Sequence, residues 1–564
     1  MWFQNLKNFS QNIPTKPRTR SSVRGKYILL AIVGLAFVLR VDNLTIGFPG
    51  LYLSNDEAIY HQSALNMIAS KTPFTLGNYG PLGSWLQIPF ILLAFGILLF
   101  TGKVDSASDM ELLLLTHEGY LLFIPRVISV MFGTLTVLAT YLVAKELFGN
   151  KKVALAAAFL CAVSFNLVHI SHLARAWSPA LFFVMLGWLF AIKSVRKMRL
   201  EFGNSLLSYF AAAMAFGFHQ IAGLAVILVV LIRFLGKGGN WRFFFSTINL
   251  WGIGLWLILV FTFNYFSLGG NFFAFLGSSD QLNLLRNPFD LATVSNPAHA
   301  NILKDLILTD GLIFVLTIFF FLRRKSTGIV LAFLLFLLLN LILSLFIFQT
   351  ILRYSLLAIV LMPIFAAFVF GQISQNFKSR FVVLVLAVLV AFNSIYWNWL
   401  LLREHTFDQL DRWLTTNVDA QVPIAVVTRR YFSYVPSSEA AAPIQELRGS
   451  YYRRLTNLIG EAYPANVRNV IDISQFGNDS KVVNLQKAMA AYPVIFVIDS
   501  YFRSSDRMLA QNEKFNLELV AHFSPSGSII QKDRIPEPLF DPGYNFPLFV
   551  VDRVGPYFDV LKVK

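Results

Sequence analysis

The chain has 564 residues, of which 56% are hydrophobic and only 14% charged, against about 25% charged in an ordinary soluble protein. Its formal net charge is +16, but residues 403–564 carry 18 Lys and Arg against 18 Asp and Glu, so the whole excess, 29 against 13, lies in the hydrophobic part. There the basic residues gather in short loops between apolar runs, which is the positive-inside pattern and argues against a nucleic-acid-binding face.

Residues 1–26 form a polar, basic lead with Lys7, Lys16, Arg18, Arg20, Arg24 and Lys26, too long for an ordinary signal peptide and followed by no small-residue cleavage site. This reads as a cytoplasmic tail. Apolar runs of bilayer-crossing length then follow one another from about 27 to 402. Helix 27–47 leads out of the cytoplasm into a first outer loop, 48–119. Basic loops at Lys145/Lys151/Lys152, Lys193/Arg196/Lys197/Arg199, Arg233/Lys237/Arg242, Arg323/Arg324/Lys325 and Lys378/Arg380 are assigned to the cytoplasm. They place helices at 120–143, 153–171, 179–195, 205–219, 221–235, 244–266, 307–322, 328–348, 354–372 and 381–402, with a second long outer loop over 267–306.

The apolar run 84–101 would invert every later basic loop if it crossed. It is therefore expected to lie along the outer interface, or to dip in and return, leaving about 11 crossings. With that threading the cytoplasmic side holds 21 basic and 2 acidic residues, and the outer loops 8 and 11. Residues 403–564 are expected outside. Helical patterns (Phe407–Thr416, Val482–Ala491) there alternate with strand-like runs (Ile424–Thr428, Val494–Asp499, Leu517–Phe523, Phe549–Asp552), the pattern of a small α/β domain large enough to bury its own core. The fold class is thus a polytopic α-helical membrane protein with juxtamembrane helices and a C-terminal extracytoplasmic α/β domain.

The first chemically suggestive stretch is Leu53-Ser54-Asn55-Asp56-Glu57-Ala58-Ile59-Tyr60-His61. Adjacent carboxylates at the membrane edge can form a reactive cluster, but the same spacing suits helix capping by Asn55 or Asp56 with Glu57 in the first turn. The second is His169-Ile170-Ser171-His172-Leu173-Ala174-Arg175-Ala176-Trp177-Ser178-Pro179. Histidines and an arginine near lipid face protein or water. An interfacial belt and an anion site at Arg175 both fit; a zinc site lacks a clear third ligand. His219 and Arg353-Tyr354 fall on the same outer face.

In their order and spacing these features resemble the GT-C glycosyltransferases, in the branch of protein O-mannosyltransferases (glycosyltransferase family 39) and lipid A aminoarabinose transferases. The resemblance covers most of 27–372. It rests on Asp56-Glu57 opening the first outer loop, Pro81-Leu82 before an amphipathic segment, Arg126 starting a helix that ends in Leu147-Phe148-Gly149, Arg175, and Arg353-Tyr354 with Pro363. It implies inverting transfer of a sugar from a polyprenyl-phosphate donor to an acceptor hydroxyl of a protein, lipid or glycan on the outer face of the plasma (inner) membrane. By similarity Asp56 is the base, Glu57 supports it, and Arg175 lies near the donor or the carboxylates. Arg353, His172, His219 and Tyr60 are the candidates for binding the donor phosphate or lipid. No metal or other cofactor is implied, and residues 1–402 contain no Asp-x-Asp. The chain departs from the aminoarabinose branch at Gly80-Pro81, where that branch has Lys-Pro, and at Ser178-Pro179, where it has Asp-Pro.

Two other classes compete: a secondary transporter and a noncatalytic membrane assembly partner. Transporters keep broken helices with polar groups near the midplane; here the ionisable residues lie at the ends of apolar runs, and 84–101 reads as the one irregular segment. A cysteine introduced at Ser106 is expected to react with an impermeant thiol reagent applied from outside, and labelling only from the cytoplasm would refute the threading.

Overall fold

The computed structural model describes residues 23–42, 44–45, 55–75, 80–107, 109–110, 113, 119–196, 200–268, 298–323, 328–346, 355–373, 377–427, 470–472, 478–501, 507, 515–525 and 552–563. Most of the basic tail, most of the outer loop 267–306, and Arg353-Tyr354 lie outside the described residues, as does the side chain of Asp56. The chain divides into two compact units: Met1–Asp42, Asp56–Pro89 and Ile124–Tyr396 in one, and Asn43–Asn55, Phe90–Phe123 and Trp397–Lys564 in the other.

The structure is mostly helical. In chain order the helices of the membrane-like part are α1 (Val23–Val41), α2 (Asn55–Ser70), α3 (Pro81–Trp85), α4 (Ile88–Phe100), α5 (Gly119–Phe148), α6 (Lys151–Val163), α7 (Phe165–His172), α8 (Trp177–Arg196) and α9 (Glu201–Phe218). They continue with α10 (Ala225–Gly236), α11 (Thr247–Ser267), α12 (Ala298–Arg323), α13 (Gly328–Phe346), α14 (Leu356–Ile359), α15 (Met362–Ile373) and α16 (Phe377–Leu401). Among the described residues five helices are long and apolar enough to cross a membrane, or six with α6 and α7 counted as one bent span. Pro81–Phe100 is one of the five. Length and composition therefore do not set the run 84–101 apart from the crossing helices.

Local sequence explains the tight turns. Gly149, at φ +65, ends α5 in the left-handed region that glycine tolerates, and its N–H bonds Lys145 O at 2.9 Å. Asn150 then caps α6, its side chain accepting from the amides of Lys152 and Val153.

A correction concerns 153–171, expected as one helix. It is two, α6 and α7, meeting at Ser164 with a bend of 52°. The run 354–372 is likewise divided into α14 and α15, and α12 is kinked at Asp310 (φ −123, ψ 27). The expectation that 84–101 is the one irregular segment is overturned. A break deep in an apolar bundle exposes carbonyls and amides that lipid cannot satisfy, and distant side chains satisfy them here. Arg40 of α1 donates to Ala162 O at 2.9 Å and Cys161 O at 3.1 Å, and Ser394 Oγ of α16 to Val163 O at 2.9 Å. Asp310 of α12 accepts from the amides of Phe165 and Asn166, from Ser164 Oγ and from Asn166 Nδ2, at 2.7–3.2 Å. The guanidinium thus sits at a helix C-terminus and the carboxylate at a helix N-terminus, the placement the helix dipoles favour. Arg40 and Asp310 are both buried.

At the basic end of this unit Arg196 donates to the carbonyls of Glu146 and Leu147. Lys237 pairs with Glu201, and Arg233, also buried, donates to Asn249 Oδ1 at 3.0 Å. The chain ends assigned to the cytoplasm thus meet one another, which leaves the other ends of α5, α8 and α9 together on the opposite side.

In the second unit α17 (Thr406–Asn417), α18 (Asn478–Ala491) and strands β1 (Ile424–Val426), β2 (Val470–Asp472), β3 (Phe496–Tyr501), β4 (Leu517–Phe523) and β5 (Tyr557–Val563) build an α/β domain. The five-stranded sheet has the order β2-β1-β3-β5-β4, parallel across β2-β1-β3 and antiparallel across β3-β5-β4. Strand alternation sorts its faces. Ala425, Ile471, Val497 and Leu561 pack with Leu485 and Ala488 of α18. On the other face Phe496 and Phe558 meet Trp413 and Phe407 of α17. The expected strand at Phe549–Asp552 is corrected at its described end: Asp552 lies in an irregular bend, and β5 starts at Tyr557.

Candidate active site

The site is built around the segment 174–177, which follows α7 and meets a different element at each residue. Ala174 N–H donates to Glu57 Oε1 at 2.6 Å. The Arg175 carbonyl accepts from Ser129 Oγ of α5 at 3.0 Å. Beside Ala176, a Cβ placed on Gly83 of α3 would lie 3.0 Å from the Ala176 Cβ and 2.7 Å from the Tyr60 ring, so glycine is required for that close approach. Trp177 stacks on His219, with ring centroids 3.7 Å apart.

Glu57 is the charged centre. It lies in the first turn of α2, is 0% exposed, and forms a fork-on-fork pair with Arg126: Nε to Oε1 and Nη2 to Oε2, both 3.2 Å. Arg126 is also 0% exposed. It follows Pro125 inside α5. Glu57 therefore reaches partners 69 and 117 residues away in sequence. Planar bidentate pairing supplies direction as well as charge, and two buried charges tolerate each other only when paired with such geometry.

The residues that follow Glu57 are fastened to α3 and α11. Ser84 Oγ donates to Tyr60 O at 3.0 Å, and Gln87 Oε1 lies 3.2 Å from His61 Nδ1. Thr75 N–H bonds Phe266 O at 3.2 Å, and Trp85 meets Phe266 edge-to-face at 5.0 Å. Burial pushes the pKa of His61 down to about 4, the bond to Gln87 Oε1 opposing this in part. His61 lies in α2, outside the candidate membrane spans.

The residues singled out from the sequence are placed as follows. Glu57 and the backbone of Arg175 come together at Ala174. Arg175 is 4% exposed and lies, with His172, beside His169. His172 Nδ1 is 3.0 Å from Val168 O, one turn earlier in α7. Tyr60 is buried against Gly83, and His219 is half-buried on Trp177. Asp56 contributes its backbone to α2; its side chain, and the whole of Arg353, lie outside the described residues. The partner of Glu57, Arg126, was not among the singled-out site residues. A lone arginine inside an apolar run is the signal for it, because such a charge requires a partner. Among the described residues no three His, Cys, Asp or Glu side chains converge to hold a metal.

No protein-family model matches the sequence, and no curated protein does. Among solved structures the chain is similar to ArnT from Cupriavidus metallidurans in the apo state, at 10% identity and a TM-score of 0.46 over 96% of this chain and 98% of that one. The same protein bound to undecaprenyl phosphate is similar at 11% identity and 0.44, over 96% and 98%. The archaeal oligosaccharyltransferase AglB from Archaeoglobus fulgidus, in complex with an inhibitory peptide and a dolichol-phosphate, is similar at 13% and 0.43, over 89% and 73%. These neighbours have the GT-C fold.

Arg126→Met is expected to destabilise the folded protein by about 3–5 kcal/mol by leaving Glu57 buried and unpaired. Glu57→Gln combined with Arg126→Met should recover much of that loss; thermal unfolding in detergent for the two single variants and the double variant checks this. His61 adds a pH dependence. Its folded pKa lies below the usual 6.5, so the unfolded chain takes up the proton first, and stability is lost as pH falls from 6.5 through about 4. That loss is about 3 kcal/mol at most, and in His61→Gln the same unfolding measurements should show it removed.

Proposed function

We propose that this chain is an inverting glycosyltransferase. It moves a sugar from a polyprenyl-phosphate donor to an acceptor hydroxyl of a protein, lipid or glycan at the outer face of the plasma (inner) membrane. The observation that carries the reading is the buried Glu57 held by Arg126 and the Ala174 amide. A carboxylate so held is a support, and it anchors the first turn of α2 where Asp56 precedes it. The base that collects the acceptor proton is then Asp56, as the resemblance in sequence implies.

A phosphate leaves as an acidic group, so no second carboxylic acid has to protonate it, unlike the paired carboxylates of most glycosidases. The donor side needs cations and hydrogen-bond donors at the departing oxygens. Arg175 supplies the charge beside His169 and His172, where the low dielectric of a buried site strengthens it. His172, His219, Tyr60 and Arg353 are assigned to the donor phosphate or its lipid. In this reading the chain is multi-pass, its N-terminus is cytoplasmic and residues 403–564 are extracytoplasmic. No metal takes part.

The broken helix α6–α7 with buried Asp310 favours a second reading, transport, because transporters open helix ends toward their cargo. Here the ends are closed by Arg40, Ser394 and Asp310, which leaves transport the weaker reading. Asp56→Asn should lower sugar transfer by about 10²–10⁴-fold, the worth of a general base, while insertion and thermal stability stay as in the parent. Transfer from a lipid-phosphate sugar in proteoliposomes measures this, and full activity in that variant would remove Asp56 from the mechanism.

A further inference from the structure

Asp310 lies in α12, and nothing in the reaction described so far uses it. It is 4% exposed and accepts four hydrogen bonds, all from the start of α7. A carboxylate from another helix therefore does the work of the N-cap. Ser164, at the cap position, makes no capping bond of its own and donates its hydroxyl to Asp310 at 2.9 Å. Asn166 Nδ2 is held a second time, by Thr309 Oγ1 at 2.8 Å.

The acceptor is itself fixed. Asp310 marks the kink in α12, and the carbonyls just before it, Leu308 O and Thr309 O, accept from Asn393 Nδ2 at 3.0 and 2.8 Å. From its capped start α7 runs eight residues to His172, all of them buried. At about 1.5 Å per residue that is a rod of about 12 Å. Beyond its end the chain turns at once: Arg175 N–H bonds Leu173 O at 2.7 Å, and Ala174 N–H meets Glu57. Close contact with α5 guides the rod on the way, where a Cβ on Gly133 would lie 3.0 Å from Ser171 Cβ.

We infer that Asp310 is a positioning residue for sugar transfer: through α7, a capped strut of fixed length, it sets where Ala174 and Arg175 meet Glu57. This rests on the transferase reading for its catalytic consequence, but the strut itself does not. A helix held at one end by four bonds to a carboxylate and bonded at the other to the Glu57–Arg126 pair has little freedom to slide. Weakening the first end loosens the second. A displacement of about 1 Å at a reacting site can cost about 10²-fold in rate.

Two readouts on the full-length protein in lipid nanodiscs test it: hydrogen exchange at residues 173–176, and kcat and KM for transfer from a lipid-phosphate sugar. In Asp310→Asn, exchange at 173–176 should rise about tenfold or more, and kcat should fall by about 10–100-fold with the donor KM within about threefold. Ser164→Ala, which removes one donor and leaves the carboxylate, should shift both in the same direction by less, and it serves if Asp310→Asn fails to fold. Asn249→Ala, at the far end of the unit, is the stability control and should leave both readouts unchanged. Unchanged exchange at 173–176 in the variants, or an equal fall in kcat in Asn249→Ala, would overturn the inference. Raised exchange in Asp310→Asn, together with no sugar transfer by the parent protein, would uphold the strut and refute the transferase reading.

Discussion

Inside an apolar bundle a helix can stop only where other side chains take over its carbonyls and amides, because neither lipid nor water is there to do so. The stop at Ser164 follows this rule. Arg40 and Ser394 take the last three carbonyls of α6, and Asp310 takes the first amides of α7. Two buried charges of opposite sign thus stand on either side of one break, each where a helix dipole attracts it. Three further helices, α1, α12 and α16, are tied to that point. Counting along each helix at about 1.5 Å per residue, Arg40, Ser164 and Asp310 all lie about 20 Å from the basic residues that begin or end their helices.

The break shapes the candidate site because α7 ends within two residues of it. The short rod delivers a turn whose successive residues meet Glu57, Ser129, Gly83 and His219. Glu57 is held from both sides, by Arg126 of α5 and by the Ala174 amide. The ion pair is therefore a joint between α2, α5 and the end of α7, and α2 is tied in turn to α3 through Ser84 and Tyr60. A rigid joint of this kind suits chemistry that depends on placing a base and a departing phosphate at fixed separation. In the C-terminal domain β5, which lies between β3 and β4, likewise carries a buried carboxylate, Asp559, which pairs with His522 at 2.7 Å and Arg507 at 2.6 Å.

The parts legible in the sequence were those governed by local rules. Apolar runs located most of the helices, since a helix among lipid must be apolar along its length, but α12 starts nine residues before the expected 307 and α1 ends six before the expected 47. The basic loop Lys145/Lys151/Lys152 located the turn that Gly149 and Asn150 make, and strand-like runs located β1, β3 and β4. β5 was missed because Asp559 and Lys562 interrupt its pattern, and Asp559 is buried only through partners on other segments. The break at Ser164 escaped for a related reason. Val163-Ser164-Phe165 contains neither proline nor glycine, and the residues that make the break possible are more than 100 positions away. Arg126 could have been flagged as a buried charge needing a partner; that its partner is Glu57, and not a lipid headgroup, could not.

Composition and the distribution of charge by themselves determined the class of protein: a helical chain for a membrane, with a charge-balanced α/β domain at its C-terminus. They depend on solvent and on residue type, which a sequence states directly. Pairing was decided only by the tertiary structure. Whether Glu57 reaches Arg126, whether Asp310 caps α7, and whether Ser164 interrupts a helix all turn on which groups come within about 3 Å of one another. That proximity arises from the packing of helices far apart in the chain, and no local pattern encodes it.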